Sequence, residues 1–486
     1  MNSLSRFQLA GIAASAAIGI TLLNSCNTMI VGRNYQGPDT IMPDTWHQSL
    51  SSDLRSHSSS LQNWWTKFND PTLNKLIALS SQANPDVKIA LERVIEAQEG
   101  RTISRSGLAP TVDVGGAYNS ASQSENSSPA SGIGGQNYKN WSTGATASWE
   151  LDFFGGVRRA IESSDATAEA IEEAYRDTLV TLYAEVAYSY IEVRTYEERI
   201  RQASNNIKNQ QDSVELTRER FTAGLSPELD VSQAETNLAN SKAFVPQLRA
   251  ERAKSLNRLA TLLGQYAGKG ETLVKNTKGI PMPSSKTGIG LPTNLLRSRP
   301  DIRRAERELA AQTALIGVTE ADLYPRFALT GDFAFTSANT SNLFDGASGG
   351  YSFGPAFKWN VFSAGRIRSQ VRIEESRTKQ ALYTYEQAVL RGVEDVETSL
   401  SSAFYERDRL SSLNDAVKSA TKTVTLVKTN YKEGLVDFQN VLDAERTIFN
   451  SQDTAASSRG VLSAAYVSLF KSLGGGTEMP AVAIQK

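Results

Sequence analysis

The stretch YKEGLVDFQNVLDAE, Tyr431–Glu445, has an earlier echo in FTAGLSPELDVSQAE, Phe221–Glu235. The two stretches lie 210 positions apart and share a Gly-Leu pair near the start and an Ala-Glu pair at the end. The same offset relates further residues on both sides: Trp149 and Trp359, Gly155 and Gly365, Tyr175 and Tyr385, and Leu263-Gly264 and Leu473-Gly474. A repeat this long indicates a duplicated structural unit.

The upstream part of the repeat has an offset of 215, because the first copy is five residues longer between Pro110 and Trp149. Pro85-Asp86 corresponds to Pro300-Asp301, and Pro110 corresponds to Pro325. We therefore place the copies at residues 76–265 and 291–475. A linker rich in Gly, Lys and Pro joins them at 266–290, and a C-terminal tail follows at 476–486.

The composition excludes several classes of protein. The chain has 486 residues, with 51 basic and 52 acidic side chains and a net charge of −1, so it has no electrostatic signature of nucleic-acid binding. One cysteine and two histidines cannot supply a His/Cys metal cluster or a histidine-based catalytic set, and no HExxH, CxxC or phosphate-binding loop is present. The sequence predicts neither an enzyme nor a cofactor.

The N-terminus has the layout of a secretory signal. A short start with Arg6 precedes an apolar run from about Leu9 to Leu23, which predicts a signal peptide over residues 1–25. The run ends in LLNSC, which is similar to a lipobox and predicts lipid attachment at Cys26. The alternative is an unlipidated signal peptide with an incidental cysteine.

Each copy contains two alternating apolar and polar segments, predicted as β-hairpins at about 110–150 and 326–360. In the second copy the apolar face carries Phe327, Leu329, Phe333 and Phe335, then Tyr351, Phe353, Phe357 and Trp359. Strands of this kind suit an outer-membrane barrel or a soluble hairpin with one buried face. Four strands are too few to close a barrel, so a membrane barrel would need strands from two or three copies of the chain.

A long helical hairpin follows each β-hairpin. No proline interrupts residues 156–222, and apolar residues recur there at spacings of three and four. We predict helices at about 156–223 and 227–263, and at about 366–433 and 437–473, packed as coiled coils with a kink at Pro246. Gly224 and Gly434 end the longer helices, so the two echoing stretches form the tips of the hairpins.

Several stretches together resemble the TolC-type outer-membrane efflux channels, in particular their lipidated OprM/NodT-like branch. The resemblance covers essentially the whole mature chain and includes the lipobox and both Gly-Leu tips. It rests also on Trp64-Trp65, Phe68, Asp70-Pro71, Leu73 and Asn84-Pro85, and on Leu291-Pro292-Thr293-Asn294-Leu295-Leu296 followed by Arg299-Pro300-Asp301-Ile302.

The resemblance implies a mostly α-helical fold with a transmembrane β-barrel. Three chains would share twelve strands in the outer membrane, continuous with a periplasmic α-helical barrel and an equatorial domain on which residues 26–75 pack. It also implies a passive channel for drugs or other small molecules. Its partners would be a proton-driven resistance-nodulation-division pump in the inner membrane and a periplasmic membrane-fusion adaptor docked at Gly224, Leu225, Gly434 and Leu435.

The family further implies a gate at the periplasmic tips. Asp230 and Tyr431 match its latch positions, and Asp443 matches one aspartate of an acidic ring. Asn440 occupies the other ring position, which should weaken cation binding there, and Val436 stands where some relatives have a latch arginine. Without the resemblance, Asp230 and Asp443 read as solvated residues near helix ends.

Two other functions remain compatible with the sequence. The same architecture serves type I protein secretion. A lipid-anchored periplasmic adaptor without a pore would account for the long helices but not for the aromatic hairpins.

Overall fold

A computed structural model describes residues 30–38, 45–47, 54–55, 61–122, 124, 137–274, 279–283, 287–288 and 298–477. The predicted signal peptide, Cys26, residues 291–296 and the end of the tail lie outside the described residues. The chain divides into two compact units. The first contains Met1–Pro38, Ile95–Ala170 and Ala305–Thr384, and the second contains Asp39–Val94, Ile171–Arg304 and Tyr385–Lys486.

The described elements are numbered in chain order. The strands are β1 (Leu54–Arg55), β2 (Thr111–Ser122), β3 (Asn137–Leu151), β4 (Thr287–Gly288), β5 (Arg326–Ser337) and β6 (Gly349–Lys358). The helices are α1 (Pro71–Ala83), α2 (Pro85–Ser106), α3 (Gly156–Thr222), α4 (Glu228–Leu262), α5 (Gly270–Leu273), α6 (Pro300–Ala321), α7 (Arg366–Lys432) and α8 (Phe438–Ser472). Short 3₁₀ turns lie at Trp64–Phe68, Thr340–Asn342 and Gly346–Ser348.

The first unit contains an antiparallel sheet in the order β2-β3-β5-β6. Thr111 lies opposite Ser148 in the first hairpin, and Arg326 lies opposite Lys358 in the second. These pairs correspond at the sequence offsets of 215 and 210, so the two hairpins have the same register. β3 pairs with β5, while β2 and β6 have no second neighbour among the described residues.

A tryptophan closes the base of each hairpin in the same way. The indole Nε1 of Trp149 donates to the carbonyl oxygen of Leu108 at 2.9 Å, and that of Trp359 donates to the carbonyl oxygen of Leu323 at 3.1 Å. Both leucines lie in the turn between the preceding helix and the first strand of the hairpin. Each bond therefore ties the end of a hairpin to its beginning.

The helices repeat in length as well as in order. α3 and α7 each have 67 residues, and α4 and α8 each have 35. At about 1.5 Å per residue the longer helices extend for roughly 100 Å. Their bounds lie within one residue of those expected from the sequence, and α4 continues through Pro246 as one helix. Among the described helices, none combines the length and the apolar character needed to cross a membrane.

In the second unit, Asn84 ties α2 to the end of α4. Its Nδ2 donates to the carbonyl oxygen of Leu262 at 3.0 Å, and its Oδ1 accepts from the backbone N–H groups of Asp86 and Val87 at 2.7 and 3.2 Å. The side chain thus caps α2 and holds a terminal carbonyl of α4. Gly264 permits the close approach, because a Cβ there would lie 2.5 Å from the carbonyl oxygen of Ala83.

Arg299 makes the corresponding connection in the second copy with different chemistry. Its Nη1 donates to the carbonyl oxygen of Ser472 at 2.9 Å, the repeat equivalent of Leu262. The same guanidinium forms ion pairs with Asp301 and Asp395 at 2.8 and 2.9 Å. A buried arginine in the second copy therefore donates to the equivalent terminal helix carbonyl, as a buried asparagine does in the first copy.

An aromatic core anchors the segment before α1 to the second unit. Trp64 stacks on Phe470 with ring centroids 5.5 Å apart, and both side chains are fully buried. The Asp70 carboxylate accepts from the backbone N–H groups of Thr72 and Leu73 and from the Tyr190 hydroxyl at 2.7 Å. One carboxylate thus caps α1 and positions α3.

Residues 30–34 are held in the first unit by a buried arginine. The Arg159 guanidinium donates to the carbonyl oxygens of Val31 and Gly32, each at 3.0 Å, and to Asn34 Oδ1 at 2.8 Å. Gly32 has a φ of 86° and passes so close to Gly317 that a Cβ would lie 2.5 Å from its Cα. Since only glycine fits there, the path of this segment is fixed.

Candidate functional site

The two helical hairpins of the second unit end in turns of the same geometry. Gly224 and Gly434 have φ values of 71° and 75°, in the left-handed region that favours glycine. The N–H of Leu225 donates to the carbonyl oxygen of Arg220, and the N–H of Leu435 donates to that of Asn430, both at 2.8 Å. Each glycine therefore ends a long helix and turns the chain into the next one.

A small apolar cluster joins the two tips. Tyr431 and Phe438 lie with ring centroids 5.4 Å apart, and both are almost completely buried. The buried members come from all four helices of the tips: Val214, Ala234, Tyr431, Phe438, Val441 and Leu442. Because α3 and α4 belong to the first copy and α7 and α8 to the second, this cluster packs one copy on the other.

Arg220, near the end of α3, provides the polar contact between the two tips. Its guanidinium carbon lies 4.8 Å from the ring centroid of Tyr431, within cation–π range. Its Nη1 donates to the carbonyl oxygen of Lys432 at 2.9 Å. Arg220 therefore holds the last turn of α3 against the last turn of α7.

The predicted latch residue Tyr431 is central to this contact, but its hydroxyl is not used. Among the described residues, the buried Tyr431 Oη has no hydrogen-bond partner, and neither has Arg220 Nε. A hydrogen bond between Tyr431 and Asp230 is thus not formed within the chain. The ring of Tyr431, rather than its hydroxyl, makes the contact between the copies.

Asp230, the other predicted latch residue, lies half-buried in the first turn of α4. Burial raises the pKa of Asp230 above its usual value, and the nearby Asp437 carboxylate raises it further, whereas the positive charge of Arg220 lowers it. The pKa of Asp230 is therefore affected in opposite directions by the Asp437 carboxylate and the Arg220 guanidinium.

The two predicted ring residues lie apart from this contact, on an exposed face of α8. Asn440 Nδ2 donates to the carbonyl oxygen of Asp437 at 3.4 Å, and Asp443 accepts from Gln439 Nε2 at 3.1 Å. Asn440 is also the repeat equivalent of Asp230, since the two lie 210 positions apart. One position thus carries a half-buried carboxylate in the first copy and an exposed amide in the second.

A buried carboxylate joins all four helices just beyond the apolar cluster. Glu445 in α8 is 4% exposed and accepts from Ser213 Oγ in α3 at 2.6 Å and from Asn237 Nδ2 in α4 at 3.4 Å. It also forms an ion pair with Lys428 in α7 at 2.9 Å. Its repeat equivalent, Glu235, is exposed and pairs with Arg218. The two equivalent glutamates therefore differ in their surroundings, because Glu445 is buried between four helices and Glu235 lies on the surface.

The surface of the first tip carries a groove of about 730 Å³. It is lined mainly by one face of α3: Gln211, Val214, Glu215, Arg218, Glu219, Thr222, Ala223 and, from α4, Leu238. Leu225 and Leu435, in the turns of the two tips, are 65% and 73% exposed. The predicted docking residues thus present two equivalent apolar side chains at the tips.

Sequence reasoning missed Arg220 and Glu445. The repeat contains a feature that could have indicated Arg220, because the two copies differ at both positions of the contact. The repeat equivalents of Arg220 and Tyr431 are Asn430 and Phe221. Both members of the contact are replaced in the other copy. No comparable signal marks Glu445, because both copies have glutamate there and differ only in what surrounds it.

The chain has a four-stranded sheet made of two β-hairpins, and it has two long helical hairpins. These features are typical of outer-membrane channel proteins. The family model for outer membrane efflux protein matches residues 76–265 and 291–475. The chain belongs to this family and is an outer-membrane efflux channel. The predictions of family and of fold class are confirmed.

Individual relatives cover almost the whole chain. Nodulation protein T of Rhizobium leguminosarum bv. trifolii is 30% identical over 437 residues, which span 90% of this chain and 91% of the relative. The cation efflux system protein CusC of Escherichia coli is 28% identical over 91% of this chain and 95% of its own length. The solved structure of the outer-membrane channel OprN has a TM-score of 0.85 and 35% identity, and it covers 92% of this chain and 99% of that one.

The contact between Arg220 and Tyr431 can be tested by hydrogen exchange. We expect Arg220→Ala to speed amide exchange in the tip segments 214–238 and 427–442 by about tenfold, or roughly 1.4 kcal/mol, because a cation–π contact and a hydrogen bond are lost. Arg218→Ala is the matched control, since its ion pair with Glu235 is exposed. Equal exchange in the two variants would show that Arg220 does not hold the tips together.

Proposed function

We propose that the protein is a homotrimeric, passive conduit from the periplasm to the exterior, with no enzymatic chemistry or cofactor of its own. The observation that carries the proposal is the four-stranded sheet, whose two edge strands each have only one neighbour among the described residues, because a membrane strand must pair all of its backbone groups. Further copies of the chain supply that pairing, and membership in the efflux family supports it.

The cargo that we propose is small molecules, including drugs. Relatives at similar identity are named for cations, for solvents and toluene in Pseudomonas putida, and for pyoverdine in Pseudomonas aeruginosa. These names favour small-molecule efflux over type I protein secretion. Because such different cargoes belong to similar channels, selection is assigned to the pump and the adaptor.

The partners that we propose are a periplasmic membrane-fusion adaptor and, through it, a proton-driven inner-membrane pump of the resistance-nodulation-division type. The adaptor would dock at the tips, where Leu225 and Leu435 are exposed and where α3 carries a groove. Two exposed leucines at equivalent positions suit the apolar face of an adaptor helix.

Photocrosslinking tests this docking. A benzoylphenylalanine at position 225 or 435 in cells should give a covalent product with a membrane-fusion adaptor, identified by mass spectrometry. Leu390, which is 70% exposed on α7 and 44 positions before Gly434, is the matched control position. Equal adaptor labelling from position 390 would remove the tips as the docking site.

We further propose that the tips form the gate, with Asp230, Tyr431, Asn440 and Asp443 as its residues and Arg220 as an additional one. Three observations support this: the half-buried position of Asp230 in the first turn of α4, the contact of Arg220 with Tyr431, and the exposed face that carries Asn440 and Asp443. Opening would be an iris-like movement of the helices between two packings.

Single-channel current across a planar bilayer tests the gate. We expect small or flickering currents from the wild type and several-fold larger ones from Asp230→Ala combined with Asp443→Ala, because the first change removes a charge beside Arg220 and the second removes the ring carboxylate. Asp212→Ala with Asp415→Ala is the control, since both aspartates are exposed on α3 and α7. A double tip variant with wild-type conductance would place the gate elsewhere.

Lipid attachment at Cys26 is proposed as an aid to targeting that becomes dispensable once the barrel has inserted. We expect Cys26→Ser to abolish incorporation of labelled palmitate while trimers remain in the outer membrane. Ser25→Ala, which keeps a small residue before the cysteine, should label normally. Loss of all trimer in the cysteine variant would contradict this role.

A further inference from the structure

The base of the sheet, where β3 leads into α3, carries an aromatic patch formed by Phe153, Phe327 and Phe357. The patch lies next to the N-terminal segment, residues 30–38. We propose that a fatty acyl chain attached at Cys26 packs on this patch. The inference rests on the lipid attachment proposed above and adds the protein surface that receives the chain.

The three rings of the patch are in contact on one face of the sheet. Phe153 meets Phe327 edge-on with ring centroids 5.1 Å apart, and the ring of Phe327 lies 6.1 Å from that of Phe357. Phe327 and Phe357 belong to the alternating apolar positions of β5 and β6, which would face lipid in a membrane barrel. Phe153 is 37% exposed and Phe357 is 70% exposed. The patch therefore offers apolar surface that no other described residue covers.

The N-terminal segment is held directly beside the patch. The N–H of Val31 donates to the carbonyl oxygen of Phe154 at 3.1 Å. Ile30 packs on Gly155, where a Cβ would lie 2.9 Å from the Cγ2 of Ile30. The buried Arg159 guanidinium donates to the carbonyl oxygen of Val31 at 3.0 Å. The segment is thus fixed against the two residues that follow the first ring of the patch.

The attachment point cannot lie far from the patch, because only four residue steps separate Cys26 from Ile30. Four steps of a fully extended chain span at most about 14 Å. Cys26 is therefore confined to the neighbourhood of Phe153, and an acyl chain attached to it can reach all three rings.

The sequence repeat shows that the patch is not a general feature of the two hairpins. Phe153 and Phe327 have Ser363 and Val112 as their repeat equivalents. Arg159, which holds the N-terminal segment, corresponds to Ser369. The aromatic rings and the arginine are thus present together beside the segment and are replaced together in the equivalent positions. This coincidence links the patch to the segment rather than to the general apolar surface of a barrel.

A second copy of the chain would not cover the inner part of the patch. Phe153 follows β3 and Phe327 lies in β5, and each of these strands already has two neighbours in the sheet. A further chain could join only at β2 or β6. Bilayer phospholipid is the other possible occupant, but a chain tethered through four residues has a high effective concentration at the patch.

Photocrosslinking from the acyl chain tests this contact. Cells that express the full chain are supplied with a palmitate analogue carrying a diazirine, and the purified protein is irradiated and digested with trypsin. Cleavage after lysine and arginine releases the attachment peptide Cys26–Arg33 and the patch peptide Asn140–Arg158, which contains Phe153. We expect mass spectrometry to find these two peptides joined through the analogue, a product that adducts of free phospholipid cannot give.

A pair of double variants shows whether the rings hold the chain. Phe153→Ser with Phe327→Val introduces the residues that the chain has at the repeat equivalents, and it should lower the yield of the joined peptides several-fold. Phe353→Ser with Phe333→Val is the matched control, since both phenylalanines are exposed on the same face of the sheet. Phe333 lies six residues along β5 from Phe327, or roughly 20 Å, so the control should keep the wild-type yield.

Two further measurements on the same samples separate this proposal from those on which it rests. The mass of the attachment peptide before irradiation reports lipid attachment, and an unboiled gel reports the trimer. Joined peptides whose yield falls in the patch variant alone support the proposal. Phospholipid adducts on the patch peptide without joined peptides, or an equal yield in both variants, overturn it and leave lipid attachment standing. An attachment peptide without lipid would overturn both.

Discussion

The pairing of backbone groups at the edges of the sheet is the constraint on which this structure depends. Hydrocarbon offers no water to the N–H and C=O groups of β2 and β6, so the four long strands that the structure describes cannot occupy a membrane alone. Association is therefore part of folding for this chain.

Duplication provides similar units, but the two copies are not interchangeable. Asn84 and Arg299 hold equivalent helix ends with different groups, one through an amide and the other through a guanidinium with two carboxylates. Glu235 and Glu445 are identical and yet have different surroundings. The backbone architecture has thus been kept in both copies, while the side-chain contacts have diverged, within a copy at Asn84 and Arg299 and between the copies at Glu445.

Much of the fold could be predicted from the sequence because the relevant signals are local. Glycines with positive φ and prolines mark the ends of helices, and period-two alternation marks strands, so the bounds of the long helices follow within a residue. The contacts of the candidate site could not be predicted in the same way. Arg220 meets Tyr431 across 211 positions, and Glu445 is buried only because Ser213, Asn237 and Lys428 converge on it from three other helices. Partners so far apart in sequence leave no local pattern.

The contact between Arg220 and Tyr431 has a consequence for symmetry. It joins the first copy to the second within one chain, but the equivalent residues that would meet at a junction between chains are Asn430 and Phe221, which have neither the charge nor the phenol. Around a pore built from three chains, contacts within a chain, which contain Arg220 and Tyr431, would alternate with contacts between chains, which contain Asn430 and Phe221. The contacts between chains would break first, so each chain would move as one segment. The aperture would then widen with threefold rather than sixfold symmetry.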